Sequence, residues 1–315
     1  MMKYIKMKLA CILAALLIIC LSGCAAQNAA DVIDSTSADV LDTGVISQAS
    51  EFDAIPAEPD LVPEGVVLVI YGDGMDGQTN WTLEQLQALE DGYREITYST
   101  TNNWPTLSHT IGHGVSLPYL LAQAGIREDA ETLTFLSPDG YQAKITREQL
   151  YGVQYAYAEH SPAGSGNTVE VEPIIAWSSG ASGAVPNSLR PIFGQRGPND
   201  TNTAASVKDL HRIEVSTRSA GAWDIPSAGI PSGSAVPVGT ALELMHPNLD
   251  NLKLYYTTDG SDPDYYSLVY NKSTTYFQPD LIVPISINED VTIKVFAGGL
   301  GKADSGVVTF TYKVN

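Results

Sequence analysis

Hydrophobic and polar positions change period several times along the chain. "GVVLVIYGDG" (65–74) is a continuous apolar run closed by a glycine turn, the pattern of a buried strand. In "TLEQLQALEDG" (82–92), Leu83, Leu86 and Leu89 recur at helical spacing, and Thr82 stands three residues before Gln85 as in a capped helix start. "YREITYST" (93–100) predicts a strand, and "SLPYLLAQAG" (116–125) predicts a short helix stopped by Gly125. "ETLTFLSPDGYQAKITREQL" (131–150) predicts strand, turn, strand and helix start. "EPIIAWSSG" (172–180) and "SLRPIFGQ" (188–195) predict short strands, and "VKDLHRIEVST" (207–217) closes this region near residue 218. Irregular alternation of strands and helices points to an α+β region rather than a regular parallel sheet. The texture then changes. "IPSAGIPSGSAVPVGT" (225–240) is rich in Pro, Gly and Ser. After it come strand-like runs alone: "ALELMH", "KLYYTTD", "DLIVPISI", "VTIKVFAG" and "VVTFTYKV". Short strands separated by turn residues predict a small all-β sandwich.

The amino-terminal segment changes the picture. Lys3, Lys6 and Lys8 precede the apolar "LACILAALLIIC", which is shorter than the roughly 20 residues of a membrane-spanning helix. The following "LSGC" resembles the lipobox of bacterial lipoproteins, which implies cleavage before Cys24 and lipid on its sulfur. Cys11 and Cys20 leave with such a leader. The mature chain then holds no disulfide, no free thiolate and no cysteine metal ligand. Two acyl chains on Cys24 suffice for stable anchoring. The expected organisation is a signal peptide (1–23), an acidic tether (24–62), a first domain (63–218), a linker (219–227) and a β-sandwich (228–315). Residues 25–62 hold eight acids and no Lys or Arg. The expected location is extracytoplasmic, lipid-anchored to the bacterial cell envelope.

The chain carries 17 basic and 36 acidic residues, net charge −19. Loss of three leader lysines and no acid deepens this to −22. Such a surface repels nucleic acid and anionic headgroups, so no nucleic-acid partner is expected.

Candidate chemistry is sparse. His109 and His113 are four apart, a metal-clasping interval on a helix. Gly112, Gly114 and Pro105 disfavour a helix across them, and the predicted helix starts only near Ser116. These histidines are therefore expected in a loop, satisfied by backbone groups and without metal. Glu159-His160 supplies the nearest further ligand in sequence. Arg190, Arg196, Lys208 and Arg212 stand out in so acidic a chain, and a guanidinium fork suits phosphate or carboxylate. Solvated surface cations are the competing reading. Asp73 and Asp76 in "YGDGMDG" lack phosphate-loop spacing and read as turn residues. Asp259, Asp262 and Asp264 suit either calcium or Asx turns, the latter being the commoner use. Tyr265, Tyr266, Tyr270 and Tyr276 suit sugar stacking or ordinary strand packing. There is no Gly-x-Ser-x-Gly elbow and no His-Glu-x-x-His helix.

Two family resemblances follow from quoted stretches. "VPVGTALEL", "LYYTTDGSDPDYYSLVY" and "EDVTIKVFAGGLGKADSGVVTFTYKV" resemble the chitobiase/β-hexosaminidase C-terminal module, which implies an immunoglobulin-like sandwich with a spacer or glycan-contacting role. "EITYSTTNN", "HGVSLPYLLAQAGI", "TLTFLSPDGYQAKITREQL", "PIIAWSSGASGAVPNSLRPIFGQ" and "VKDLHRIEV" occur in the order seen in the molybdopterin-binding domain of the sulfite oxidase family. That resemblance implies an α+β sulfite oxidase-like fold over about 65–217. It also implies a cofactor cleft lined by Thr100, Asn102, Asn103, His109, His113, Arg190 and Lys208, the last two facing a phosphate. It places Thr100 at or beside the cysteine that holds molybdenum in that family. A threonine hydroxyl is a hard donor and a poor replacement for a soft thiolate. The expected function is a non-catalytic ligand-binding or accessory lipoprotein with no resident cofactor, molybdopterin being what the resemblance allows. The alternatives are a molybdopterin-dependent oxidoreductase with a non-cysteine ligand, and a glycan-binding or adhesion protein acting through the sandwich.

Overall fold

The computed structural model describes residues 63–101, 106–157, 168–180, 188–273 and 279–315. Cys24, the 24–62 tether, Asn102, Asn103, Glu159, His160 and Tyr276 lie outside the described residues. All described residues belong to one unit, Pro56–Asn315.

Eleven strands and three α-helices, with two 3-10 turns between them, build residues 63–218 among the described residues: β1 (Val66–Tyr71), β2 (Thr79–Thr82), α1 (Leu83–Gln87), β3 (Tyr93–Thr101), β4 (Leu107–Ser116), α2 (Leu117–Ala124), β5 (Thr132–Leu136), β6 (Gln142–Thr146), α3 (Arg147–Tyr151), β7 (Gln154–Tyr157), β8 (Thr168–Val171), β9 (Ile174–Ser179), β10 (Arg190–Ile192) and β11 (Arg212–Ser216). One sheet has the order β2-β1-β11-β5-β6, with a parallel β1–β11 pair and antiparallel pairs elsewhere. A second, antiparallel sheet has the order β10-β9-β4-β3. β7 and β8 form a two-stranded sheet.

Local signals explain the helix ends. The Thr82 hydroxyl accepts from the Gln85 N–H while the Gln85 side chain accepts from the Thr82 N–H, a reciprocal cap, and Thr146 and Gln149 repeat it for α3. Ser116 caps α2, and Gly125 ends it at φ 85°, a left-handed position where glycine is unstrained. Leu117, Leu120 and Leu121 of α2 are fully buried against Leu68 and Ile70 of β1, Leu133 and Phe135 of β5, Ile213 of β11, and Val115 and Ile175 of the second sheet. A smaller core of Tyr98, Ile174, Ala176 and Ile192 lies apart from that cluster.

The expectation of an α+β sulfite oxidase-like molybdopterin-binding fold is overturned. The structure is mostly β, divided among several small sheets. Its three described α-helices span five, eight and five residues. Helices of one to two turns cannot form a layer over a sheet. Each fills a gap between strands, and cross-strand pairing and side-chain burial on the sheets carry the packing.

The histidine segment also differs from expectation. β4 runs as a strand through His109 and His113 up to Ser116, where a loop was expected. Glycine disfavours helix but permits close backbone approach. A Cβ on Gly114 would sit 2.1 Å from the Ile175 carbonyl oxygen of β9, so only glycine allows this pairing.

Residues after 226 form strands, turns and one short 3-10 turn among the described residues. A five-stranded sheet orders Ala235–Val236, Val308–Val314, Val291–Gly298, Lys253–Thr257 and Leu268–Val269. Leu242, Leu254, Ile287, Ile293, Val295 and Tyr312 fill its core. Residues 219–227 are tied to this region: Trp223 and Gly221 exchange backbone hydrogen bonds with Ala303, and Lys302 stands over the Trp223 ring at 5.2 Å. Gln149 at the start of α3 donates to the Gly299 and Lys302 carbonyls, both at 2.8 Å, and accepts from the Gly301 N–H at 3.0 Å. The two regions are thus packed together as well as joined through the chain.

Candidate functional site

A cavity of about 250 Å³ opens beside the ends of β3, β4 and β10. Arg190 and Lys208 supply its positive charge, Thr100, Thr110, Thr203 and Ser206 its hydroxyls, and Ile192 and Phe193 an apolar wall. Two long-range contacts set the cations side by side. The Ser188 hydroxyl donates to the Asp209 carboxylate at 2.5 Å, and the Leu210 N–H donates to the Leu189 carbonyl at 2.8 Å. Asp209 takes φ 53°, a left-handed turn that Asp tolerates. The 188–190 and 208–210 segments are therefore pinned together. Among the described residues neither Arg190 nor Lys208 has an ion-pair partner. Unneutralised cations next to hydroxyl donors form a site for an anion.

A buried polar network holds the cavity wall. The Asn202 amide donates to the Ser99 carbonyl at 3.0 Å and the Phe193 carbonyl at 2.8 Å, and its oxygen accepts from the Thr101 N–H at 3.0 Å. Gln195, fully buried, accepts from the Ser99 hydroxyl at 2.6 Å and donates to the Thr101 hydroxyl at 3.0 Å and the Asp200 carbonyl at 2.9 Å. Every polar atom of Asn202 is engaged, so it shapes the cavity and leaves ligand contact to others.

The sequence-predicted residues divide into two groups. Thr100, Arg190 and Lys208 line one cavity. His109 and His113 do not. Cross-strand partners share a face: Thr100 pairs with Ser108, whereas Ser99 pairs with His109, so the histidines project from the opposite face to Thr100. Four residues along a strand span roughly 13 Å, which rules out one ion held by both. His109 Nε2 donates to the Tyr157 carbonyl at 2.8 Å. His113 Nδ1 lies 3.3 Å from the Tyr93 hydroxyl and 3.7 Å from Glu95. Thr100 shares its hydroxyl with Ser108 at 2.8 Å. An engaged hydroxyl, with no thiol beside it among the described residues, does not fit the molybdenum centre that the first-domain resemblance implies.

Other candidates find structural uses. Arg196 is paired bidentately with Asp200, both contacts at 2.9 Å, and lies 3.6 Å from Asp304. Asp259 accepts from the Ser261 N–H and hydroxyl, Asp264 accepts from the Tyr266 N–H and the Ser267 hydroxyl, and Asp262 pairs with Lys294 at 2.7 Å. The Ser261 contacts hold the Asp259 carboxyl below its ordinary range. Asp73 accepts from Thr217 and is likewise depressed, the Thr217 N–H being the main cause. Tyr270 is buried and Tyr265 lies under Arg196, which leaves Tyr266 as the exposed member of the tyrosine group among the described residues. Asn202, Gln195 and Ser206 escaped sequence reasoning. They are isolated polar residues in irregular segments, and no periodic pattern marks them.

Residues 243–312 match the Fn3-associated family, so the C-terminal region is an Fn3-associated domain. No match to the chain is found among curated proteins. Among solved structures, the chain is similar to the sulfane dehydrogenase SoxCD from Paracoccus pantotrophus at 11% identity and a TM-score of 0.36, over 78% of this chain and 75% of that one. A likeness of that size carries nothing about fold or chemistry.

Proposed function

We propose that this protein is an extracytoplasmic accessory lipoprotein that binds a small anionic molecule between Arg190 and Lys208 and does not transform it. One observation carries the proposal: two cations without an acidic partner among the described residues line a cavity ringed by hydroxyls, in a chain of net charge −19. In so acidic a protein, an isolated basic pair is the place where an anion gains rather than loses electrostatic energy. In this reading the acidic 24–62 tether holds the binding region off the membrane, and the Fn3-associated region, of the chitobiase C-terminal type, is an accessory module beyond it. Lipid on Cys24 anchors the chain, and no resident cofactor is required.

Thermal unfolding with added inorganic phosphate, sulfate or glycerol phosphate tests the binding. Wild type is expected to be stabilised in a concentration-dependent manner and the Arg190→Gln/Lys208→Gln double variant not to be. Equal shifts in both proteins, or none in either, overturn the assignment. Loss of membrane association and of metabolic palmitate labelling in Cys24→Ala tests the anchor.

A further inference from the structure

β3 is the edge strand of its sheet; Asn202 occupies its outer edge at Ser99 and Thr101, so the edge groups left to pair among the described residues lie around Glu95–Thr97. Beside its middle, at Glu95–Thr97, lies a groove of about 360 Å³ whose other walls are Ala156 and Tyr157 of β7 and Val169–Val171 of β8. Val169 is 65% exposed there. Edge strands leave a row of backbone N–H and C=O groups unpaired and are usually blunted by lysine or proline. β3 has neither. Its one arginine is turned away into structure: the Arg94 guanidinium is paired with Glu172 and donates to the Asp91 and Tyr93 carbonyls. Two exposed carboxylates, Glu95 and Glu170, stand on opposite walls, and among the described residues no Lys or Arg lines the groove. His109 is held at its side by the Tyr157 carbonyl.

We propose that this groove binds an extended, basic peptide segment that adds as a strand to the edge of β3. Main-chain hydrogen bonds to β3 supply the pairing. Alternate apolar side chains of the segment cover Val169 and Val171, and its Lys or Arg side chains face Glu95 and Glu170. The complementarity is specific in sign, because an acidic or neutral strand finds no Lys or Arg among the described residues that line the groove. This site is independent of the Arg190–Lys208 cavity, so the failure of either leaves the other standing.

Titration of the full chain with acetyl-Lys-Val-Lys-Val-Lys-Val-amide tests it. Binding is expected, with no binding of the Glu–Val counterpart. A peptide with its central valine replaced by proline is expected to bind at least tenfold more weakly, since it loses a backbone donor. The Glu95→Gln/Glu170→Gln variant, checked for wild-type circular dichroism, is expected to weaken the Lys–Val peptide at least tenfold. Slowed amide exchange at residues 95–97 is expected on binding. Absence of binding overturns the proposal. So does undiminished binding to the double variant, which signals attraction to the acidic surface at large, and so does equal binding of the proline peptide, which signals that no strand is added.

Discussion

The guanidinium carbon of Arg196 lies 4.2 Å from the centroid of the Tyr265 ring, and the Tyr265 hydroxyl donates to Asp304 at 2.5 Å. This stack joins the segment after β10 to the Fn3-associated domain. Asp200 neutralises the same arginine, and its carbonyl receives the Gln195 amide that also holds Thr101. Burial alone would push the Arg196 pKa down, but the surrounding Asp200, Tyr265 and Asp304 hold it above its ordinary value, so the group stays charged.

Removing that arginine strands a buried carboxylate. Arg196→Ala is expected to cost about 3 kcal/mol in urea unfolding, because Asp200 is left desolvated and unpaired. The same variant is expected to broaden or split the transition as the two regions lose their shared clamp. Arg196→Lys, which keeps charge but not the planar fork, is expected to fall between the two.

Asn202 bridges β3 to the Phe193 segment through three hydrogen bonds. Asn202→Ala leaves a buried N–H and two carbonyls without partners, with an expected loss of about 2–3 kcal/mol. If the cavity binds anions, the variant is also expected to bind phosphate more weakly, although the residue itself does not touch the ligand.

Lys253 is 2% exposed, and its ammonium donates to the Lys272 carbonyl. Desolvation lowers its pKa from 10.5 to about 8, against a smaller opposing pull from Asp200. Below about pH 8 both folded and unfolded chains carry this proton, and the folded state bears the full penalty of a buried charge. Between about pH 8 and 10.5 the unfolded chain holds more protons, so this residue makes stability rise with pH there. The rise is about 3 kcal/mol by linkage, to be read from urea midpoints across that window. Lys253→Met is expected to raise stability at pH 7 and flatten the profile.

Gly114 is required by contact. Its substitution to alanine forces backbone atoms of β4 and β9 apart, with an expected cost of about 3 kcal/mol and a lower thermal midpoint. Gly140→Ala is the contrasting case: its φ of 88° strains any side chain, but no atom lies within 4 Å, so a loss of about 1 kcal/mol is expected.

Much of the local structure was legible along the chain. The apolar run at 66–71 became the buried β1, the Thr82–Gln85 pair became a cap, and Ser116 and Gly125 bound α2 as expected. Such features depend on residues within a few positions of one another, which pattern reading captures. The α+β expectation failed because the helical spacing of Leu83, Leu86 and Leu89 marks a real but five-residue helix. Periodicity reports a face; helix length depends on what packs against it. Gly112 and Gly114 discourage helix, and by sequence alone that points to a loop around His109 and His113. The same glycines suit a strand pressed against a neighbouring backbone, and that neighbour, β9, lies about 60 residues further on.

The sequence by itself determined the acidic character, the strand-rich C-terminal region and the scarcity of cations, because composition and short-range patterning are properties of the chain. The tertiary structure alone decided which cations meet. Arg190 and Lys208 are brought together by Ser188–Asp209 and Leu189–Leu210 contacts, and Thr100 joins them by its side of the β3–β4 hairpin. His109, one residue out of phase with Ser108, is carried to the other face. Alternation along a strand turns a single step in register into the difference between lining a cavity and leaving it.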